Sequence, residues 1–163
     1  MKRNAKAVFL VFAAMLASCG GAGTGTATAT QSNWVVLSGA NGRALFNQCS
    51  RGVPPPGQGE WTPSEADIDA FEAALPKALL ERPEAKEVDF TKLLSGWRRQ
   101  YVGIVRGGKR FIYGNFFPAG MAGDSEKWRS EPALVCDGGP FFFGSEFDVA
   151  ARHVTQLDFN GVA

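Results

Sequence analysis

Apolar residues recur at helical spacing in one stretch of the chain. They are Ile68, Phe71, Leu75 and Leu79, and acidic residues occupy other positions of the same stretch. The residues before it are typical of a helix start, with Thr62 as N-cap, Pro63 at the first helical position and Glu65 three residues after the cap. The pattern predicts one long helix, which we expect Pro76 to kink or to divide, because proline removes a backbone hydrogen bond.

A second pattern, runs rich in β-branched and aromatic residues, predicts strands. The runs 97–105 and 109–117 flank Gly107-Gly108, a pair typical of a two-residue hairpin turn. Shorter runs predict further strands at 33–37, 133–136, 141–147 and 153–159. We therefore expect an α+β fold, with the helix packed on one face of an antiparallel sheet of about four to five strands. This order of elements loosely resembles the cystatin-like folds.

The segment between the first strand and the helix has weaker patterns. Residues 43–49 predict one or two helical turns that carry Cys49 inward. Residues 51–59 contain consecutive prolines, which lack amide donors, and several glycines, so no regular structure is expected there.

The first residues of the chain are typical of an export signal. A basic start is followed by an apolar run, residues 7–17, which is shorter than the roughly 20 residues that cross a bilayer. The run ends in Leu16-Ala17-Ser18-Cys19, which resembles the lipobox of bacterial lipoproteins. The resemblance implies a signal peptide over 1–18, cleavage before Cys19 and lipid on its thiol. A plain secretory signal with a chance cysteine is the alternative.

Residues 19–32 are rich in glycine, threonine and alanine and carry no charge. Such a segment buries too little apolar surface to fold, so it is predicted to be a flexible tether between lipid and domain. Residues 33–163 have the length of a single domain. Gly20 and Gly21 follow the lipidated cysteine in place of an aspartate, which favours the outer membrane, with the domain facing the periplasm.

The charge balance excludes one class of partner. The chain has 17 basic and 16 acidic residues, and cleavage would remove Lys2, Arg3 and Lys6. A slightly acidic mature chain is not the composition of a general nucleic-acid binder. The expected partners are the membrane, through lipid on Cys19, and an envelope protein, and no cofactor is expected.

Two cysteines, Cys49 and Cys136, remain after Cys19 is assigned to lipid. An even pair in an oxidising compartment predicts a disulfide bond. The alternative is a catalytic thiol, which would need a base, and the only histidine is His153. A single histidine also provides too few ligands for a typical transition-metal site.

Three carboxylates are candidates for acid or base chemistry. Asp137 follows Cys136, while Glu146 and Asp148 lie two residues apart in a predicted strand and so share a face. The competing interpretation is structural: Asp137 caps a glycine bend, and the other two lie on the solvated face of the sheet. The core face would then carry Phe141, Phe143 and Phe147.

Basic residues occur at both ends of the predicted hairpin: Arg98, Arg99, Arg106, Lys109 and Arg110. They are the candidate recognition residues for an acidic partner, and the alternative is a solvated hairpin whose charges prevent edge-to-edge pairing.

Two stretches, QYVGIVRGGKRFIYGNFF and CDGGPFFFGSEFDVAARHVTQLDFNG, resemble segments of small uncharacterised proteobacterial exported proteins. The resemblance implies an exported domain and assigns no activity. We expect a membrane-tethered envelope lipoprotein that acts by binding, as an accessory, inhibitor-like or assembly component, and that catalyses no reaction. The alternative is a small envelope hydrolase that uses Asp137, Glu146 or Asp148 as acid or base.

Overall fold

The computed structural model describes residues 32–87, 93–122 and 126–162. The strands are β1 (Trp34–Val36), β2 (Gly59–Trp61), β3 (Trp97–Arg106), β4 (Lys109–Pro118), β5 (Phe143–Asp148) and β6 (His153–Phe159). The helices are α1 (Gly39–Ala44), α2 (Glu65–Leu80) and α3 (Leu93–Gly96). Short 3₁₀ turns occur at Pro83–Glu87, Ala119–Ala122, Glu126–Arg129 and Gly139–Phe141. The predicted signal peptide, the lipidated Cys19 and the predicted tether up to residue 31 lie outside the described residues.

The α+β class is confirmed, but the sheet is mixed rather than antiparallel and has six strands in the described part of the chain. The order is β1-β3-β4-β5-β6, and β2 pairs with the same edge of β3 as β1 does. β1 runs parallel to β3 from Trp34↔Arg99, whereas β2 runs antiparallel to it from Gly59↔Val105. Two short strands from the N-terminal segment therefore cover one edge of the long hairpin.

The central hairpin is confirmed at the predicted place. β3 and β4 pair over ten residues each, from Trp97↔Pro118 to Arg106↔Lys109. Gly107 and Gly108 have φ values of 58° and 74°, the left-handed region that a tight turn between right-twisted strands requires. Glycine adopts this region without the penalty that a Cβ imposes.

Helix α2 begins two residues later than predicted. The N-cap is Ser64, not Thr62: its hydroxyl accepts from the amide of Asp67 at 3.3 Å, and the Asp67 carboxylate accepts from the Ser64 amide at 2.9 Å. A capping box is therefore present, with Asp67 in the role that the sequence assigned to Glu65. The helix is not ended by Pro76 and continues to Leu80.

Residues 133–136 were expected to form a strand and do not. Side-chain amides of the sheet and of Asn160, which directly follows β6, take the place of a partner strand. Asn115 donates to the carbonyl of Ala133 at 2.9 Å, and Asn160 donates to the carbonyl of Val135 at 2.6 Å. The amide of Ala133 donates to the side chain of Gln100 at 2.8 Å, so this segment lies against the sheet without joining it.

The main core lies between α2 and one face of the sheet. Phe71 is its centre: the ring stacks on Phe147 at 5.2 Å and meets Tyr101 and Phe116 edge to face at 5.8 and 6.0 Å. The other face is also covered, by α1 and the residues that follow it. The buried residues there are Leu37, Leu45, Val102, Ile104, Phe111 and Tyr113.

Burial of both faces corrects the expectation that Glu146 and Asp148 lie on a solvated face. They are only 2% and 7% exposed. Of the three phenylalanines assigned to the core face, Phe143 and Phe147 are buried in the main core, whereas Phe141 precedes β5 and is 49% exposed. The sequence analysis predicted a helix that covers one face of the sheet, but it did not predict that α1 and the residues after it cover the other face.

The disulfide between Cys49 and Cys136 is confirmed, and it joins residues 87 positions apart with a Cα–Cα distance of 5.2 Å. Contrary to expectation, Cys49 does not point inward, because both cysteines are exposed. The bridge ties the segment after α1 to the loop before β5 at the surface. In the described part of the chain, no helix has the length and apolar character needed to cross a membrane.

Candidate functional site

The basic residues of the hairpin form two separate groups. Arg98 and Arg99 begin β3, while Arg106, Lys109 and Arg110 surround the turn. Arg98 and Arg106 are eight positions apart along β3, which is about 26 Å. They do not make one continuous patch.

Arg99 is a core residue. Its Nε lies 2.8 Å from Oε1 of Glu72 on α2, and the two side chains are 6% and 12% exposed. The same carboxylate oxygen accepts from the hydroxyl of Tyr101 at 2.7 Å. Burial, followed by the nearby Glu72 charge, raises the pKa of Tyr101 well above its ordinary value, so the tyrosine is a neutral donor. This cluster attaches α2 to β3 and offers no surface to a partner.

The other basic residues differ in their freedom to bind. Arg98 is half-buried with its guanidinium 5.2 Å from the ring centre of Trp128, and Arg110 lies 5.1 Å from that of Trp61. Lys109 is exposed. Only Arg110 and Lys109 of the predicted set are largely open to solvent.

Arg106 forms a two-pronged ion pair with Glu146. Its two terminal nitrogens donate to the two carboxylate oxygens, both at 2.8 Å, and one of them also donates to the carbonyl of Pro55 at 3.0 Å. The hydrogen bonds to Glu146 raise the pKa of Arg106 above its ordinary value. Thr155 donates to the same carboxylate at 2.7 Å. Glu146 therefore links β3, β5, β6 and the proline-rich loop.

The three candidate carboxylates do not meet in one place. Asp148 accepts from the amide of Ala151 at 2.9 Å and closes the β5–β6 turn. Asp137 lies near the other end of β6, where its carbonyl accepts from Asn160 at 2.8 Å. Glu146 pairs with Gln156, four residues before Asn160, which is about 13 Å along a strand. Among the described residues, no group of His, Cys, Asp and Glu side chains is arranged to hold a metal ion.

A polar network that the sequence analysis missed holds the loop before β5 in place. The guanidinium of Arg51 donates to Asn115 at 2.6 Å, to Asn160 at 2.8 Å and to the hydroxyl of Tyr113 at 3.3 Å. Burial raises the pKa of Tyr113, and the positive charge of Arg51 opposes that shift. Asn115 and Asn160 in turn bind the carbonyls of the 133–137 segment. Arg51 is separated from these partners by more than 60 residues, so no local pattern could have identified them.

A cleft of about 360 Å³, here called the loop cleft, lies between β3 and the proline-rich loop. Its apolar floor comes from Phe46, which follows α1, and from β3; one wall is the proline-rich loop, and the ion pair of Arg43 and Glu60 lies at its rim. The lining residues are Arg43, Phe46, Pro56, Gly57, Gln58, Gly59, Glu60, Val102 and Ile104.

The loop cleft is built from specific contacts. Glu60 accepts from the Arg43 guanidinium at 2.6 Å and from the amide of Gly39 at 2.8 Å, which joins α1 to β2. A Cβ on Gly57 would lie 2.5 Å from the carbonyl oxygen of Val105, so only glycine allows the loop to lie this close to β3. The prolines and glycines of residues 51–59 indicated a loop in the sequence, but they did not show that this loop lies against β3 and forms a cleft.

Chemically, the loop cleft combines an apolar floor with a polar rim and backbone groups of the loop. Its volume lies at the lower end of the range for small-ligand sites, and that composition is typical of recognition sites. Comparisons of the chain with protein-family models, with curated proteins and with solved structures found no match.

Proposed function

We propose that this chain is a lipid-anchored protein of the bacterial cell envelope and that its domain acts by binding an envelope protein. The anchor is proposed from the resemblance of residues 16–19 to a lipobox. The tether, residues 19–32, would reach at most about 50 Å when fully extended. The domain would therefore meet partners close to the membrane, which we place at the outer membrane on its periplasmic side.

The observation that carries the binding proposal is that the carboxylates of Glu146 and Asp148 are already occupied by structural contacts. Glu146 is engaged by Arg106 and Thr155, and Asp148 closes a turn. A general acid or base must reach a substrate, yet these side chains are almost fully buried and already satisfied. Asp137 lies apart from them. This arrangement supports a binding protein over the alternative hydrolase, whose carboxylates would have to converge.

The loop cleft is the recognition site that we favour, and an apolar side chain from an extended segment of another envelope protein is its proposed occupant. The floor of Phe46, Val102 and Ile104 suits an apolar group. The ion pair of Arg43 and Glu60 at the rim leaves polar atoms that can pair with the backbone of such a segment. A cystatin-like order of elements stays a prediction, and so does an inhibitor-like role.

Site-specific photocrosslinking in intact cells tests the binding proposal. Pro56 is exposed and lines the loop cleft, whereas its neighbour Pro55 is exposed and does not. We expect a photoreactive phenylalanine analogue at position 56 to give a discrete crosslinked species, and the same analogue at position 55 to give little or none.

A cleft-filling variant and mass spectrometry of the crosslinked peptide test the occupant of the loop cleft. Gln58→Trp, at an exposed position that lines the cleft, should fill the cleft and remove the crosslink at position 56, because the larger side chain displaces the occupant. Mass spectrometry of the crosslinked peptide should place an apolar residue of an envelope protein at the attachment point. Equal labelling at both positions, or a crosslink that survives Gln58→Trp, would reject the loop cleft as the recognition site.

A further inference from the structure

A second groove, on the side of the molecule that carries α2, is lined by several basic side chains. It has a volume of about 370 Å³ and lies between α2 and the start of β6. Here it is called the α2–β6 groove. Its lining residues are Ala73, Ala74, Lys77, Ala78, Glu81, Arg152, His153 and Val154. None of them belongs to the loop cleft.

The helical wall follows from the spacing of α2. Lys77 and Glu81 are four residues apart and so share one side of the helix. The alanines of this wall are too small to fill the space beside β6, which leaves the groove open. Val154 is half-buried and packs against the main core.

The basic side chains of the groove have no polar partner within the described residues. Lys77, Arg152 and His153 form no ion pair and no side-chain hydrogen bond with any described residue, in contrast to Arg43, Arg99 and Arg106. Glu81 lies on the same wall but pairs with none of them. The fixed charges of Lys77 and Arg152 outnumber that of Glu81, and the imidazole of His153 adds a further donor.

Arg152 occupies a backbone position that favours glycine. Its φ is 53°, in the left-handed region, at the end of the four-residue turn between β5 and β6. A side chain there carries a conformational cost that glycine avoids. Glycine would adopt this φ without that cost, so the backbone of the turn does not require an arginine here.

We propose that the α2–β6 groove binds a phosphate group through Lys77, Arg152 and His153. A guanidinium presents paired donors that match two phosphate oxygens, and an ammonium adds a compact charge. The phosphate belongs either to a small molecule in solution or to a lipid headgroup. This site is independent of the proposed partner in the loop cleft.

Calorimetric titration of the full mature protein in a neutral detergent tests this site. One arm adds inorganic phosphate against an equal ionic strength of chloride, and the other adds micelles doped with phosphatidylglycerol. We expect saturable binding in at least one arm, which identifies the source. Arg152→Gly and Lys77→Gln should each weaken it about tenfold, which corresponds to one lost charge-assisted hydrogen bond.

Matched variants separate the site from general charge. Lys109→Gln removes an exposed cation from the other hairpin turn and should leave binding unchanged. Glu81→Gln should tighten binding, because it removes the opposing charge from the groove. Arg152→Gly should not lower the thermal midpoint, since glycine suits the backbone there. Absence of binding in both arms, or equal weakening by Lys109→Gln, would overturn the proposal.

Discussion

Loss of either Cys49 or Cys136 is expected to destabilise the domain by about 4–5 kcal/mol. The bond closes a loop with a sequence separation of 87 residues, and the chain-entropy relation gives this value for a loop of that length. Both cysteines are exposed, so the effect comes from restricting the unfolded chain and not from lost core packing. Urea unfolding of Cys49→Ser and Cys136→Ser measures it.

The double variant provides the control for this prediction. Because the two cysteines act through one bond, Cys49→Ser, Cys136→Ser and the double change should be about equally unstable. The oxidised wild-type protein should show no free thiol from these residues before reduction. A native thiol that labels readily, together with single variants of very different stability, would contradict the bridge.

Truncation of Phe71 is expected to cost about 3–5 kcal/mol, the usual range for a fully buried phenylalanine. The ring is 0% exposed and contacts three other aromatic rings from three different strands. Phe71→Ala would therefore leave a cavity at the point where α2 meets the sheet. The free energy of unfolding from a denaturant titration is the measurement.

Phe141→Ala is the matched control, because the same side chain is 49% exposed there. Surface substitutions of this kind change stability by about 0.5 kcal/mol or less. Similar losses for the two variants would mean that the core between α2 and the sheet is not organised around Phe71.

Local patterns explain which parts of the fold could be predicted. The apolar stripe of α2, the Gly107-Gly108 turn and the strands it joins depend on residues close in sequence. The N-cap was predicted at Thr62 but lies at Ser64. Each of these residues has an acidic residue three positions later that can complete a capping box, Glu65 for Thr62 and Asp67 for Ser64. Such errors of two residues arise when neighbouring positions offer similar caps.

Long-range contacts explain the rest. Nothing near residues 133–136 shows that Asn115 and Asn160 bind their carbonyls, so a strand was the natural expectation. Glu146 appears as an open carboxylate in a strand until Arg106, 40 residues away, is placed beside it. The loop cleft and the α2–β6 groove likewise join segments whose proximity only the fold reveals.

Membrane anchorage through Cys19 is the central claim of this account, because it places the domain at the envelope and gives the binding proposal its setting. Partition between aqueous and detergent phases, followed by the intact mass of the extracted protein, tests it directly. We predict that wild-type protein enters the detergent phase with a mass that fits a chain beginning at Cys19 plus acyl groups. Cys19→Ala should lose both properties. Wild-type protein that stays in the aqueous phase with the mass of an unmodified chain would contradict the claim.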